Sequence, residues 1–121
     1  MFKINSHKDN RGNFIEFVKS DNLGQVSCFT INKKKNRGGH YHHSKVEQFM
    51  ILKGFAKIKY QNLNNKKIIF KTVNEKNLKI FRSMPGYVHT IYNVGTSKII
   101  GIVWANEKFD LNKPDTFSYY D

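Results

Sequence analysis

The sequence predicts an all-β protein, a sandwich or barrel of about ten short strands. Three observations carry that expectation. Short apolar or alternating runs recur with turn signals roughly every eight to twelve residues. Ten Phe and six Tyr among 121 residues suit the pleated, half-buried surface of a sheet. No segment shows the 3.6-residue apolar period of an amphipathic helix.

Taken in order, residues 2–4 read as a short strand. Asp9-Asn10-Arg11-Gly12 is a turn, with Asn10 and Gly12 suited to unusual backbone angles. Residues 13–19, NFIEFVK, alternate: Phe14, Glu16 and Val18 share one face, Ile15 and Phe17 the other. After a turn at 22–24, residues 25–31 form a nearly continuous apolar strand carrying Cys28, which reads as core. An exposed basic loop follows at 33–36. Residues 37–54, RGGHYHHSKVEQFMILKG, read as strand, turn, strand, a hairpin closed by Gly54. Residues 55–62 alternate with Lys outward, Asn64-Asn65 turns, and 67–73 returns. Short strands are expected at 78–81 and 88–94, and a buried one at 98–104 after a turn at 95–97. The tail from 105 is polar and irregular.

One domain spanning 1–121 is the natural reading of this length. No apolar run approaches the roughly 18 residues needed to span a membrane, so no membrane partner is expected. The first residues, MFKINSHKDNRG, lack the apolar stretch of a signal peptide. A lone Cys excludes an internal disulfide and suits a reducing compartment; the expected location is cytoplasmic. The net charge of +12 is scattered over KKK at 33–35, KIK at 57–59 and KK at 66–67. With no basic helix and no nucleic-acid-binding motif, no nucleic-acid partner is expected. The basic field instead favours small anions such as nucleotide diphosphates.

Chemistry concentrates in two stretches. His40 and His42 are two apart and would share a strand face. Glu47 follows after four residues and Gly54 after six more, and Pro85-Gly86-Tyr87-Val88-His89 with Asn93 lies about forty residues downstream. Imidazoles and a carboxylate in this pattern suit a borderline divalent metal, with zinc favoured. The expected ligands are His40, His42, Glu47 and His89.

This pattern resembles the two cupin motifs. His40, His42, Glu47 and Gly54 match the first, and Gly86, His89 and Asn93 the second, with Met84 where the second motif usually has Pro. The resemblance implies a cupin jelly roll. Asp9, Arg11-Gly12, Phe14 and Glu16, then Gln25-Val26-Ser27, then Arg37-Gly38 with His40-Tyr41, resemble dTDP-4-dehydrorhamnose 3,5-epimerases. There the Arg, Phe and Glu hold the nucleotide and the His of RGxHY is the base. The tail WANEKFDLNKPDT at 104–116, with GGHYHH and PGYVH, is more similar still to the C-terminal cupin domains of bifunctional capsular-polysaccharide enzymes. In those, a metal-binding cupin half epimerises C3 of a UDP-4-keto-6-deoxy sugar and a separate half reduces C4. Two departures stand out. Residues 105–109 contain no Tyr to match the acid of the rhamnose-pathway family, and that family has Gln where this chain has His42.

The resemblance implies an epimerase acting at C3 of a UDP-linked 4-keto-6-deoxy-N-acetylhexosamine, with a nucleotide-diphosphate sugar as partner and a homodimer as assembly. Residues 1–19 would be the strand exchanged between copies. Arg11, Phe14 and Glu16 are the candidate nucleotide contacts; the planar fork of Arg37 suits phosphate. Epimerisation next to a ketone needs a base and an acid on opposite faces. His40 is the candidate base, in conflict with its place among the ligands. His43 is a second candidate and Tyr87 a candidate phenolic acid. Alternatives from other classes are a nucleotide-sugar 3,4-ketoisomerase, a non-catalytic sugar-binding metal cupin, and an iron-dependent dioxygenase on the same ligands.

Overall fold

Two-residue alternation along most segments builds eleven strands and no helix among the described residues, which in this computed structural model are 1, 3–112 and 115–119. The strands are β1 Asn5–Asp9, β2 Gly12–Ser20, β3 Gly24–Ile31, β4 Asn36–Tyr41, β5 Glu47–Lys53, β6 Phe55–Asn62, β7 Ile68–Asn74, β8 Ile80–Ser83, β9 Tyr87–Asn93, β10 Ile99–Ala105 and β11 Phe117–Ser118. They form two antiparallel sheets, ordered β1-β2-β3-β10-β5-β8 and β11-β4-β9-β6-β7. This is a jelly-roll sandwich of the cupin type.

The inner faces meet in one core. Phe29, Ile31, Ile51, Ile58 and Ile99 are at most 2% exposed. Phe49 stacks on Phe81 at 5.1 Å and meets the edge of Phe29 at 6.3 Å. Full burial of each such side chain stabilises by about 1.5–3 kcal/mol. The inward row of each strand changes character along its length. On β3 it runs Gln25, Ser27, Phe29, Ile31; on β5 Glu47, Phe49, Ile51; on β9 His89, Ile91. Apolar ends stack as the core, and polar ends gather at one mouth of the sandwich. The other end is closed by Asn93, whose Nδ2 donates to the carbonyls of Ile31 and Ser97, both at 2.9 Å. Asn93 thus braces a turn 4 residues long in sequence separation rather than facing the mouth.

Several expectations need correction. The first strand lies at Asn5–Asp9, not 2–4; Phe2 is outside the described residues. The short strand expected at 78–81 lies at Ile80–Ser83. Residues 37–54 are not a hairpin: β4 pairs with β9 and β11, β5 with β10 and β8, so 42–46 crosses from one sheet to the other. A bulge between Glu16 and Val18 breaks the alternation of β2. Phe14 and Glu16 point inward, but Val18 lies opposite Val26 on the outer face and Phe17 is 81% exposed, so Phe17 fills no core. Cys28 is half-buried on the outer side of β3, between Ile15 and Ile102, rather than in the core. The tail contributes β11, paired with Tyr41 and His40. Within the 1–19 segment, Asn5–Asp9 pairs with residues 12–16 as β1 against β2; nothing in a single chain tests the expected exchange between copies.

Candidate functional site

Three strands and one crossing segment deliver the site. His40 and His89 are direct cross-strand neighbours on β4 and β9. Glu47 opens β5 in the facing sheet, beside Ala105 of β10. His42 sits one residue beyond β4, in the crossing segment. The register near His40 depends on Gly38. Its φ of +113° is closed to most side chains, and a Cβ there would press on the carbonyl oxygen of His89. The Gly-Gly of RGGH is therefore what lets β4 run against β9 with a shift between Gly38 and His40.

Among the described residues, one group could hold a metal ion: ligand atoms of His42, Glu47 and His89 lie within 4.8 Å of one another. His42 Nε2 is 2.5 Å and His89 Nε2 3.7 Å from Glu47 Oε1. Two neutral imidazoles and one carboxylate form a donor set that zinc accepts, with a position left open. Both rings are steered from behind, as ligating imidazoles usually are. His42 Nδ1 lies 2.7 Å from the carbonyl of Asp115, and His89 Nδ1 lies 2.6 Å from the Ser83 hydroxyl. His40 stands beside this group on the same cavity wall but outside the 4.8 Å set.

The electrostatics separate the histidines. Burial pushes His89 down to about 4 and, with the neighbouring His42, also lowers His40. Burial opposes a charge on His42 too, but its hydrogen bond and attraction to Glu47 outweigh that and raise it. Glu47 is raised by burial and lowered more by His42 and His89, for a net fall. Asp115 loses water, yet the backbone N–H bonds from Ser44, His43 and Lys45 hold its carboxyl well below the usual range.

These groups form one end of a cavity of about 420 Å³. The four expected substrate contacts, Arg11, Phe14, Glu16 and Arg37, all line it. Arg11 forms a fork with Asp9. The Arg37 guanidinium lies 5.8 Å from the centre of the Phe14 ring, and its Nε donates to the Thr30 carbonyl at 2.9 Å. Glu16 accepts from Asn5 at 2.8 Å and faces His7 at 3.5 Å. Among the described residues no Tyr is on the cavity wall, and neither His43 nor Tyr87 lines it. His43 is exposed and packs on Tyr41 and Phe117.

Sequence reasoning missed three residues at the site. Lys45 is 5% exposed and lines the cavity, with Nζ 5.5 Å from the centre of the Phe109 ring. Ser83 precedes the second motif and carries no signal of its own. Asp115 lies inside the tail stretch 104–116, and that stretch was its one signal.

Two buried side-chain nitrogens have no hydrogen-bond partner among the described residues: Arg37 Nη2 and His40 Nδ1. Both residues come from β4 and both line the cavity. A buried polar atom left unpaired costs about 1–3 kcal/mol, which a ligand with complementary groups would recover.

The family described as the polysaccharide biosynthesis C-terminal domain matches residues 7–117. The chain belongs to this family. Among its relatives, the UDP-2-acetamido-2,6-beta-L-arabino-hexul-4-ose reductase of Pseudomonas aeruginosa is 40% identical over 117 residues, 97% of this chain and 32% of that protein. The capsular polysaccharide assembling protein CapF from Staphylococcus aureus matches all of this chain and 35% of its own, at 34% identity and a TM-score of 0.94. CapF with the inhibitor 3-isopropenyl-tropolone gives 0.93 at the same identity. This family member thus spans about a third of the length of these relatives. Oxalate oxidase in complex with glycolate, 16% identical with a TM-score of 0.69, shares the fold.

Proposed function

We propose that this chain binds a UDP-linked 4-keto-6-deoxy-N-acetylhexosamine in the 420 Å³ cavity and inverts its C3 by way of an enolate. The observation that carries the reading is the pair of unpartnered β4 nitrogens, on Arg37 and His40, in a cavity that also holds the His42, Glu47 and His89 group. The name of the 40%-identical relative specifies a UDP-linked keto sugar, which supports the substrate class.

His42, Glu47 and His89 would hold a divalent cation, with zinc favoured. When bound, it supplies a Lewis acid for a carbonyl oxygen, worth several kcal/mol to a developing enolate. Three protein ligands leave His40 outside the set, which removes the conflict between ligand and base. Its burial keeps the imidazole neutral near pH 7, so it can take the C3 proton. Arg37 would meet the diphosphate, Phe14 would stack on the uracil, and Glu16 would accept from it. Arg11 must open its fork with Asp9 to reach a phosphate. His43 and Tyr87 have no part in this scheme because neither reaches the cavity. The acid that returns the proton is unassigned.

The test is NMR of the keto sugar incubated with the purified chain in heavy water. Deuterium should enter at C3 with inversion, and His40→Ala should abolish its entry while zinc uptake persists. A sugar recovered without deuterium would overturn the epimerase and leave a binding role. Migration of the keto group to C3 would instead identify a ketoisomerase.

A further inference from the structure

His42 sits on a segment that belongs to neither sheet. β4 ends at Tyr41 and β5 begins at Glu47, so the amides of 42–46 must find acceptors outside a ladder. One carboxylate supplies most of them. Asp115 Oδ1 accepts the His43 N–H at 2.9 Å. Its Oδ2 accepts the N–H groups of Ser44 at 3.0 Å and Lys45 at 2.9 Å, and the Ser44 hydroxyl at 3.0 Å. The main-chain carbonyl of the same residue lies 2.7 Å from His42 Nδ1. A carbonyl can only accept, so Nδ1 carries the proton. Nε2, 2.5 Å from Glu47 Oε1, is the nitrogen turned toward the ligand group; in the metal-free chain it donates to that carboxylate, and a cation would take the place of its proton. Asp115 has a φ of 44°, a left-handed backbone that Asp and Asn tolerate better than most residues. It does not itself line the cavity.

We propose that Asp115 is a positioning residue of the metal centre. Its carboxylate holds the His42 loop and its carbonyl sets the His42 tautomer, so that Nε2 is offered to a divalent cation. The proposal rests on reading His42, Glu47 and His89 as a metal site. One residue, 73 positions from His42 in sequence, thereby controls both the place and the protonation of a ligand that neither sheet holds.

The test uses the full chain, ¹⁵N-labelled and titrated with zinc against a chromophoric chelator, beside Asp115→Asn and Asp115→Ala. Asn keeps the tolerance for the backbone angle, but its NH₂ cannot accept an amide. Zinc affinity should fall about 10–100-fold in both variants, the usual effect of removing a group that orients a ligating His. In the zinc-loaded wild type, ¹⁵N spectra should show His42 bound through Nε2, with a slowly exchanging Nδ1 proton. In zinc-loaded Asp115→Asn that proton should exchange faster. A residue that only stabilised the tail would lower the melting temperature and leave both readouts unmoved. Zinc affinity in Asp115→Asn within twofold of wild type would overturn the proposal. So would binding through Nδ1, or a fast-exchanging Nδ1 proton, in the wild type, whether or not either variant folds. A wild type that takes up no zinc would overturn the metal reading and the positioning role together. None of these readouts uses the sugar, so the epimerase reading stands or falls separately.

Discussion

At the scale of the residue, His89 is the imidazole that burial alters most plainly. Burial takes it from an ordinary 6.5 to about 4. The unfolded chain binds that proton from pH 6.5 downward and the folded chain only near 4, so this contribution is full above 6.5 and lost as pH falls across the window. His42, raised by Glu47 despite its burial, has the opposite sign: its contribution is present below 6.5 and fades as pH rises through the folded value. Glu47, lowered, loses its share below 4.5. Calorimetry of the metal-free chain should show the melting temperature falling from about pH 6.5 to about pH 4.5. A flat or rising profile there would mean that His89 is protonated in the folded state. Phe14 carries a second prediction. It lines the cavity and also packs against the core. Phe14→Ala should weaken UDP binding by roughly 1–3 kcal/mol, the scale of base–aromatic stacking. It should also lower stability by about 2 kcal/mol, below the loss for a fully buried Phe. Titration calorimetry with UDP, run beside thermal melts, reads both. Unchanged affinity with a lower melting temperature would make Phe14 core alone. Alternation in NFIEFVK put Phe14 and Glu16 on one face correctly. The bulge that moves Val18 to the other face and Phe17 into solvent left no mark in the pattern, because one inserted residue looks like any other in a list of types.

At the scale of the element, the crossing from β4 to β5 makes the site. Two strands joined by 42–46 read equally well as a hairpin or as a passage between sheets, since a short polar link serves either. Only the pairing of β4 with β9 and of β5 with β10 separates them. The passage puts His40 and Glu47 on facing sheets, with His42 between. Gly38 permits the close approach on one side. Gly38→Ala forces a side chain into a left-handed backbone and against the His89 carbonyl. The expected loss of stability is roughly 1–3 kcal/mol, with weaker zinc binding because β9 carries His89. Thermal melts and a zinc titration of this variant check it; wild-type values in both would show that β4 moves aside at no cost.

At the scale of the molecule, one outer sheet face is apolar. Ile15, Cys28, Ile102, Met50 and Ile80 lie in one row of cross-strand partners over the outer face of β2, β3, β10, β5 and β8. Ile80 is 62% exposed, and Trp104, one row away, 39%. We propose that a second copy covers this face. The chain carries +12, and this row has no charged residue, so two copies would meet along it without opposing like charges. Burying such a row also removes an apolar patch that a lone chain would expose. Light scattering at micromolar concentration should give twice the 14.2 kDa chain mass, and Ile102→Asp should return the monomer. A wild-type mass near 14.2 kDa would overturn the dimer; an Ile102→Asp variant that folds and remains dimeric would move the interface elsewhere.

Local chemistry was legible without coordinates. Strand-forming composition, alternation and turn residues pointed to an all-β sandwich or barrel, because pleat and turn geometry act over a few residues. The spacing of His40, His42, Glu47 and His89 marked a candidate metal group, of which the last three come together, and the motifs around Arg11, Phe14, Glu16 and Arg37 pointed to residues that line one cavity. Tertiary structure decided what depends on distant partners. It set His40 beside the three-residue group rather than within it, and placed His43 and Tyr87 off the cavity wall. It buried Lys45 in that wall and brought Asp115 onto the His42 loop. Each of these follows from which strand lies beside which, and sheet pairing joins residues as distant in sequence as His40 and Ser118 at this site, where no local pattern reaches.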